Sequence, residues 1–353
     1  MALNRRSTSR LLMLASAGSA SLIEIAPILD ALNAGRSLMV VLFLGLAYQV
    51  GNGLARKVGR SPKVICALAG LGLVAWMVAG EMLSVQMVAV AAMSASLQAC
   101  RRVLGDAADV REIALATKRA WRVSGFLLAA MLPATYAIAL AVAVIALGTG
   151  LLASLPDSMS EREVVRTHAI DTPPSLLQEQ LWALMVVHQT HYFVYAYAIL
   201  YLAFQVAAGS AVAAATAFAL GWITYLSAER LWNRFPDQCV FVAGHTFLAA
   251  CLLCLGVVGE NSWIAILLWV LTGFGGGSVY CLVSISAKSG LLAERVERAE
   301  DVGHVGGVAL AIALLAVGGV GVSGLAVAGA ALAATAAAGM QALGKRLSRA
   351  HDA

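Results

Sequence analysis

The stretch Gly53-Leu-Ala-Arg-Lys-Val-Gly-Arg-Ser-Pro-Lys63 has a weaker copy in the second half of the chain, Ser227-Ala-Glu-Arg-Leu-Trp-Asn-Arg-Phe-Pro-Asp237. Arg56 aligns with Arg230, Arg60 with Arg234 and Pro62 with Pro236; further on, Ala69-Gly70 aligns with Ala243-Gly244. The offset is about half the chain, as expected of two parallel halves built on one plan. Each copy is a short basic stretch between long apolar runs, so the plan depends on what those runs are.

Hydrophobic residues make up 61% of the 353 residues and charged residues 12%. A soluble domain carries about 25% charge, so lipid, not water, must face much of this surface. The net charge of +5 is divided among short clusters between the apolar runs. That excludes a nucleic-acid-binding module, whose positive charge gathers on one folded face. Arg exceeds Lys, and Ala and Gly are abundant, which points by association to a GC-rich bacterial gene. Cys66, Cys100, Cys239, Cys251, Cys254 and Cys281 lie in or beside apolar runs and read as small hydrophobes, not as a disulfide framework. The first apolar run contains Glu24, Pro27 and Asp30 without a small-x-small cleavage site before them, so it reads as a retained first helix.

A bilayer-spanning helix needs roughly 20 mostly apolar residues. Runs of that kind cover Leu11–Ala31, Ser37–Ala55, Val64–Gly80 and Leu83–Cys100, followed by a charged stretch from Arg101 to Arg122. Val123–Pro156 carries no formal charge; it is long for one span and short for two. A polar, proline-bearing linker is expected over 156–180. Leu181–Ala228 fits two spans turning near Gly209 and Ser210, and Cys239–Gly259 and Ser262–Ala287 fit one each with a turn at Glu260 and Asn261. After a charged loop, Lys288–Asp301, Val302–Leu343 fits two more, turning near Ser323 and Gly324. Basic clusters alternate with bare turns, so all clusters share the cytoplasmic side if each interval holds an even number of spans. This requires Val123–Pro156 to be a hairpin, giving twelve spans; a continuous helix through Ala134–Leu147 would leave eleven. The repeat favours twelve. The expected fold is all-α and membrane-embedded, with two pseudo-symmetric six-helix bundles at 1–155 and 181–353, both termini in the cytoplasm.

The loop at 53–63 resembles the signature of the major facilitator superfamily, G-x-L-A-D-R-x-G-R-R, between the second and third spans. Leu54, Ala55, Lys57, Gly59 and Arg60 match it, and the weaker copy lies between spans eight and nine, as in that superfamily. The resemblance, which covers the whole chain as a 6+6 plan, implies a secondary transporter working by alternating access. Arg56 replaces the usual acidic residue, and Ser94, Ser96 and Gln98 occupy the region of the usual fourth-span arginine. In the tenth span, Trp269-Val-Leu-Thr-Gly-Phe-Gly-Gly-Gly looks like a degenerate form of the fourth-span glycine motif, in keeping with the repeat. The gating loops are expected at Arg56, Gly59, Arg60, Arg230 and Arg234.

An ionisable group inside a bilayer costs at least about 2.5 kcal/mol, so each needs a reason. Glu24 lies beyond the middle of span one among apolar neighbours and is the expected proton-coupling carboxyl; Asp30 reads as interfacial. In span seven, His188, His191, Tyr192 and Tyr195 share one broad helical face. The resemblance places spans one and seven along a central cavity, so Glu24, His188, His191, Tyr192 and Tyr195 are the expected substrate-binding residues, with His191 joining Glu24 in proton coupling. Two histidines three apart can ligate one metal ion, but no carboxylate or thiol near them in sequence completes a set, so no metal site is assigned. His245 reads as a packed core histidine, and His304 as the end of a solvated loop.

No G-x-x-x-x-G-K-[ST] sequence occurs, so ATP coupling within this chain is not expected. The expected protein is a non-enzymatic, monomeric, proton-coupled carrier of a small organic solute in a bacterial inner membrane, without cofactor, working as an antiporting exporter. An importer or a carrier of a metal chelate are the alternatives within that class. Outside it stand a membrane enzyme using His188 and His191, which would need further catalytic groups at the same depth, and a receptor that would tolerate Glu24→Leu.

Overall fold

The computed structural model describes residues 5–108, 115–154, 175–232, 234–258 and 263–351. Among these, regular structure is helical throughout and no strand occurs. The helices are α1 (Arg5–Asn33), α2 (Leu38–Leu54), α3 (Pro62–Ala79), α4 (Leu83–Ala108), α5 (Leu115–Met131), α6 (Ala134–Ala153), α7 (Leu176–Phe193), α8 (Ala196–Val206), α9 (Ala211–Trp232), α10 (Asp237–Val258), α11 (Trp263–Gly276), α12 (Val279–Lys288), α13 (Ala293–Gly318) and α14 (Val322–His351). Nine described stretches are long and apolar enough to cross a membrane, α11 and α12 counting together, and α2 and the apolar part of α5 are shorter crossings. The pair α7 and α8 completes twelve as one span interrupted after Phe193.

Burial is inverted relative to a water-soluble protein. Val257 and Val317 are 88% and 90% exposed, whereas Glu24, His188, His191 and His245 are buried. Apolar side chains facing outward on this scale need lipid as their solvent.

The chain divides into two compact units, Met1–Gly35 with Phe43–Pro173, and Arg36–Leu42 with Pro174–Ala353. In the first, α1 packs on α4, α5 and α6, and α3 packs on α4 and α6. The same pairs recur in the second: α7 packs on α12, α13 and α14, and α10 packs on α11 and α14. Close approach is allowed where small residues remove side-chain bulk. A Cβ on Gly125 of α5 would strike the Gly18 carbonyl of α1. A Cβ on Gly307 of α13 would strike the Thr190 carbonyl of α7 at 2.6 Å.

Several expected boundaries move. Helix α6 is continuous through Ala134–Ala153, so the hairpin expected within Val123–Pro156 does not turn at the middle of that run. The hairpin turns instead at Leu132–Pro133, because α5 begins at Leu115, within the stretch read as a charged loop. Proline cannot donate the backbone hydrogen bond that would join the two rods. Twelve crossings are therefore kept, with the fifth displaced toward the N-terminus. Likewise α4 continues to Ala108, which puts Arg101 on the fourth span. Residues 293–301 belong to α13 and not to a loop, and the last turn lies at Gly319, where φ is +58°, ahead of Ser323. Of the expected linker 156–180, residues 156–174 lie outside the described residues. Residues 176–180 are helical because Ser175 and Gln178 form a reciprocal capping box. The turn at Glu260 and Asn261 also lies outside the described residues.

Candidate functional site

In the first unit the polar centre is an ion pair. Glu24 on α1 is buried and accepts a hydrogen bond from the Arg122 guanidinium of α5 at 2.5 Å. The Ser21 hydroxyl donates to the Arg122 backbone carbonyl at 2.8 Å, one turn before Glu24, and fixes the register of the two helices. The carboxyl expected to sit among apolar neighbours thus has a cationic partner that the sequence reading had placed in a loop. Tyr48 of α2, also buried, lies within electrostatic reach of Glu24, Arg122 and Arg101. Around it, Ser94 of α4 donates to Asn52 at 2.6 Å and Asn52 donates to Gln49, while Arg101 donates to Gln98. A buried pair is worth little net, but removing one partner leaves an uncompensated charge and costs roughly 3–5 kcal/mol.

In the second unit the polar centre is a cluster of imidazoles. His188 and His191 project from α7 with ring centroids 4.9 Å apart. His245 of α10 joins them, its ring 5.0 Å from His188 and 5.6 Å from His191. The tautomers follow from the partners. His245 Nδ1 faces the Phe241 carbonyl at 3.0 Å and the Ser278 hydroxyl at 3.2 Å, and that hydroxyl donates to the Gly275 carbonyl. Both oxygens are therefore acceptors for His245, so Nδ1 carries the proton and Nε2 the lone pair. His188 Nδ1 lies 2.8 Å from that Nε2 and must donate to it. His191 is fully buried, and neither of its ring nitrogens has a hydrogen-bond partner among the described residues. A buried polar group left so costs about 1–3 kcal/mol and asks for a function.

Two helix interruptions flank this cluster. The seventh span breaks at Val194–Tyr195, just past His191, and the tenth at Gly277–Ser278, where Ser278 meets His245. Of the two tyrosines expected to line a cavity, Tyr195 is buried and packs near Trp269 and Gly329, while Tyr192 is half-buried between Trp222 and Trp269.

The loop residues divide. Gly59 takes φ +80°, the left-handed turn that suits glycine, and Pro62 opens α3. Arg60, Arg230 and Arg234 are exposed, and Arg56 is half-buried. The ion pair that ties the second copy down uses other residues: Lys288 of α12 donates to Asp237 at the start of α10 at 2.9 Å, beside a Ser284 hydrogen bond to the same oxygen. His304 is not at a loop end; it sits within α13 and bonds Gln189 of α7 at 3.0 Å.

Sequence reasoning missed Arg122, His245 and Ser278. Arg122 was hidden by its charged neighbours. His245 had a signal that was available, a titratable ring inside an uncharged apolar run, but its partner lies 57 residues away.

The sequence matches no protein-family model and no curated protein. Solved structures share the fold. A bacterial homologue of the iron transporter ferroportin, in its inward-facing state, matches with a TM-score of 0.67 at 14% identity, over 97% of this chain and 99% of that one. A bacterial metal transporter matches at 0.66 and 12% identity over 97% and 99%. A proton-dependent oligopeptide transporter matches at 0.65 and 11% over 93% and 99%. At such identities the likeness is one of fold, and the fold is the twelve-helix major facilitator architecture.

Proposed function

We propose that this chain, built on the major facilitator fold, is a secondary active transporter that moves a small solute by alternating access and couples that movement to protons. The observation that carries the reading is the placement of buried ionisable groups in a molecule whose outer surface is apolar: Glu24 with Arg122 in one unit, three imidazoles in the other. Groups that costly inside a bilayer mark solute or proton paths. A proton arriving on Glu24 neutralises it and releases Arg122, so protonation and helix packing are linked at that point. His191 is the second candidate for proton traffic. The basic stretches at Arg56, Gly59 and Arg60 and at Arg230 and Arg234 serve as inner-face gating loops, with both termini in the cytoplasm of a bacterium. Export by proton antiport is the proposed direction, by analogy alone.

Solved members of the fold include carriers described as moving metal and others oligopeptide, so the fold leaves the solute open. The addition of His245 to His188 and His191 favours a metal-bearing solute over a purely organic one. The test uses everted vesicles holding the overexpressed chain, an imposed pH gradient and a panel of metals, chelates and antimicrobials. The expected result is solute-dependent collapse of the gradient in wild type and its loss in Glu24→Gln. Coupled transport that survives Glu24→Gln removes Glu24 from the proton path.

A further inference from the structure

His188, His191 and His245 offer one ring nitrogen each, all within 4.8 Å of one another and all buried. We propose that they form a binding site for a first-row divalent transition-metal ion of the zinc, nickel or cobalt type, free or held in a small chelate. That the ion is cargo rests on the transporter reading above; that it binds does not.

The donor set selects the ion. Neutral imidazole suits first-row transition metals, whereas magnesium and calcium require oxygen ligands. The cluster recognised among the described residues contains neither carboxylate nor thiol. Nitrogen ligands about 2.0–2.1 Å from a tetrahedral ion lie about 3.4 Å from one another. The present separations bracket that value, from 2.8 Å between His188 Nδ1 and His245 Nε2 to the 4.8 Å limit, so small ring movements suffice once the His188 proton shifts from Nδ1 to Nε2 and frees the Nδ1 lone pair.

Three further features act in the same direction. His245 Nδ1 is held by the Phe241 carbonyl and Ser278, the outer hydrogen bonding that fixes a ligating imidazole with its other nitrogen forward. Neither ring nitrogen of His191 makes a full hydrogen bond among the described residues, its approach to the His188 backbone falling short of one, so ligation satisfies what the protein leaves unsatisfied. Helices α7 and α11 end at Phe193 and Gly276, close in sequence to His191 and Ser278, and a helix C-terminus carries the negative end of its dipole. Interrupted helices of this kind build ion sites in other transporters. Three imidazoles leave a fourth position open for water or a chelate's donor atom, which suits an ion that must leave again.

The test uses the full chain purified in detergent without a polyhistidine tag and titrated with Co²⁺. Expected are saturable visible ligand-field bands, one ion per chain, displaced by Zn²⁺. His191→Ala and His245→Ala should each weaken binding at least about tenfold, while His304→Ala leaves it unchanged. Because His245→Ala removes structural hydrogen bonds, His191→Asn, which removes none, is the deciding variant, with a monodisperse elution profile as its folding control. Absence of saturable binding, or wild-type affinity in His191→Asn and His191→Ala, overturns the site. Repeating the titration with Co²⁺ citrate separates the sources: tighter binding with citrate assigns a chelate, and equal or weaker binding assigns the bare ion. Proteoliposomes loaded with a metal-sensing dye test the cargo clause separately. Binding without Co²⁺ movement overturns cargo and leaves the site standing.

Discussion

Spans one and seven hold the same place in their own bundles, yet they solve the problem of buried polarity differently. Helix α1 runs unbroken from Arg5 to Asn33 with Pro27 inside it, and its one deeply buried carboxyl is matched by a guanidinium from the adjacent α5. The seventh span has no proline and still breaks at Val194–Tyr195, and the one imidazole of its own that makes a side-chain hydrogen bond, His188, meets another imidazole, His245 of α10, which in turn is held by a carbonyl and a hydroxyl. Helix breaks therefore do not follow proline here. The first unit neutralises its charge internally, which suits a group whose protonation alters packing. The second gathers neutral lone pairs without satisfying all of them, which suits a ligand.

The largest expected effect strikes the first unit. Arg122→Ala takes the guanidinium away from the buried Glu24 carboxylate and should cost up to roughly 3–5 kcal/mol of stability, read as a lowered thermal unfolding temperature in detergent. Glu24→Gln combined with Arg122→Met removes both charges and should recover most of that loss. If the double variant is as unstable as Arg122→Ala, the pair is not the source of the cost and the contrast between the units fails.

Next comes the packing that presents the histidines. A Cβ on Gly303 would lie 2.8 Å from the Val186 carbonyl, and one on Gly307 2.8 Å from Phe193 Cβ, so α13 can approach α7 only with glycine there. Gly307→Leu should destabilise by about 1–3 kcal/mol through overpacking. Gly306, three residues after Gly303, has its nearest neighbour at 3.8 Å, so Gly306→Ala should be close to neutral. Equal losses at the two positions would mean that α13 does not pack as described.

A smaller effect separates His191 from His245. His191 makes no hydrogen bond among the described residues, so His191→Leu should be neutral or stabilising by about 1 kcal/mol, while His245→Leu orphans its partners and should destabilise by about 1–3 kcal/mol. Thermal unfolding of the two variants side by side is the measurement. A destabilised His191→Leu would assign that ring a structural role instead.

Most of this fold could be read from apolar run length, the alternation of basic clusters and the repeat around Arg56 and Arg230, because each reports a bilayer's demands on a local stretch of chain. The turn at Gly209 was legible for the same reason. The start of α5 was not: Lys118, Arg119 and Arg122 look like a loop when counted as charges, and only the presence of Glu24 on α1 explains why a helix brings Arg122 inward. The breaks at Tyr195 and Ser278 carry no proline; the second follows the glycine run 275–277, while the first has no such local mark. Two of the three histidines in the cluster were legible, His188 and His191, since helical spacing is local. His245 entered through a contact between α7 and α10 that no spacing rule encodes.

The smallest effect concerns the two loop copies. Lys288 is 73% exposed in its pair with Asp237, so Lys288→Ala should change stability by less than about 1 kcal/mol, and the change should shrink further at high salt. The gating role predicts something different in kind: the same variant frees the start of α10 from the end of α12, and should alter transport rate far more than unfolding temperature. Asp237→Asn, which keeps a hydrogen-bond acceptor for Ser284, should act in the same direction and less strongly. Should both variants leave rate and stability untouched, the pair is an ordinary surface contact, and the gating residues of the second unit must be sought at Arg230 and Arg234 alone.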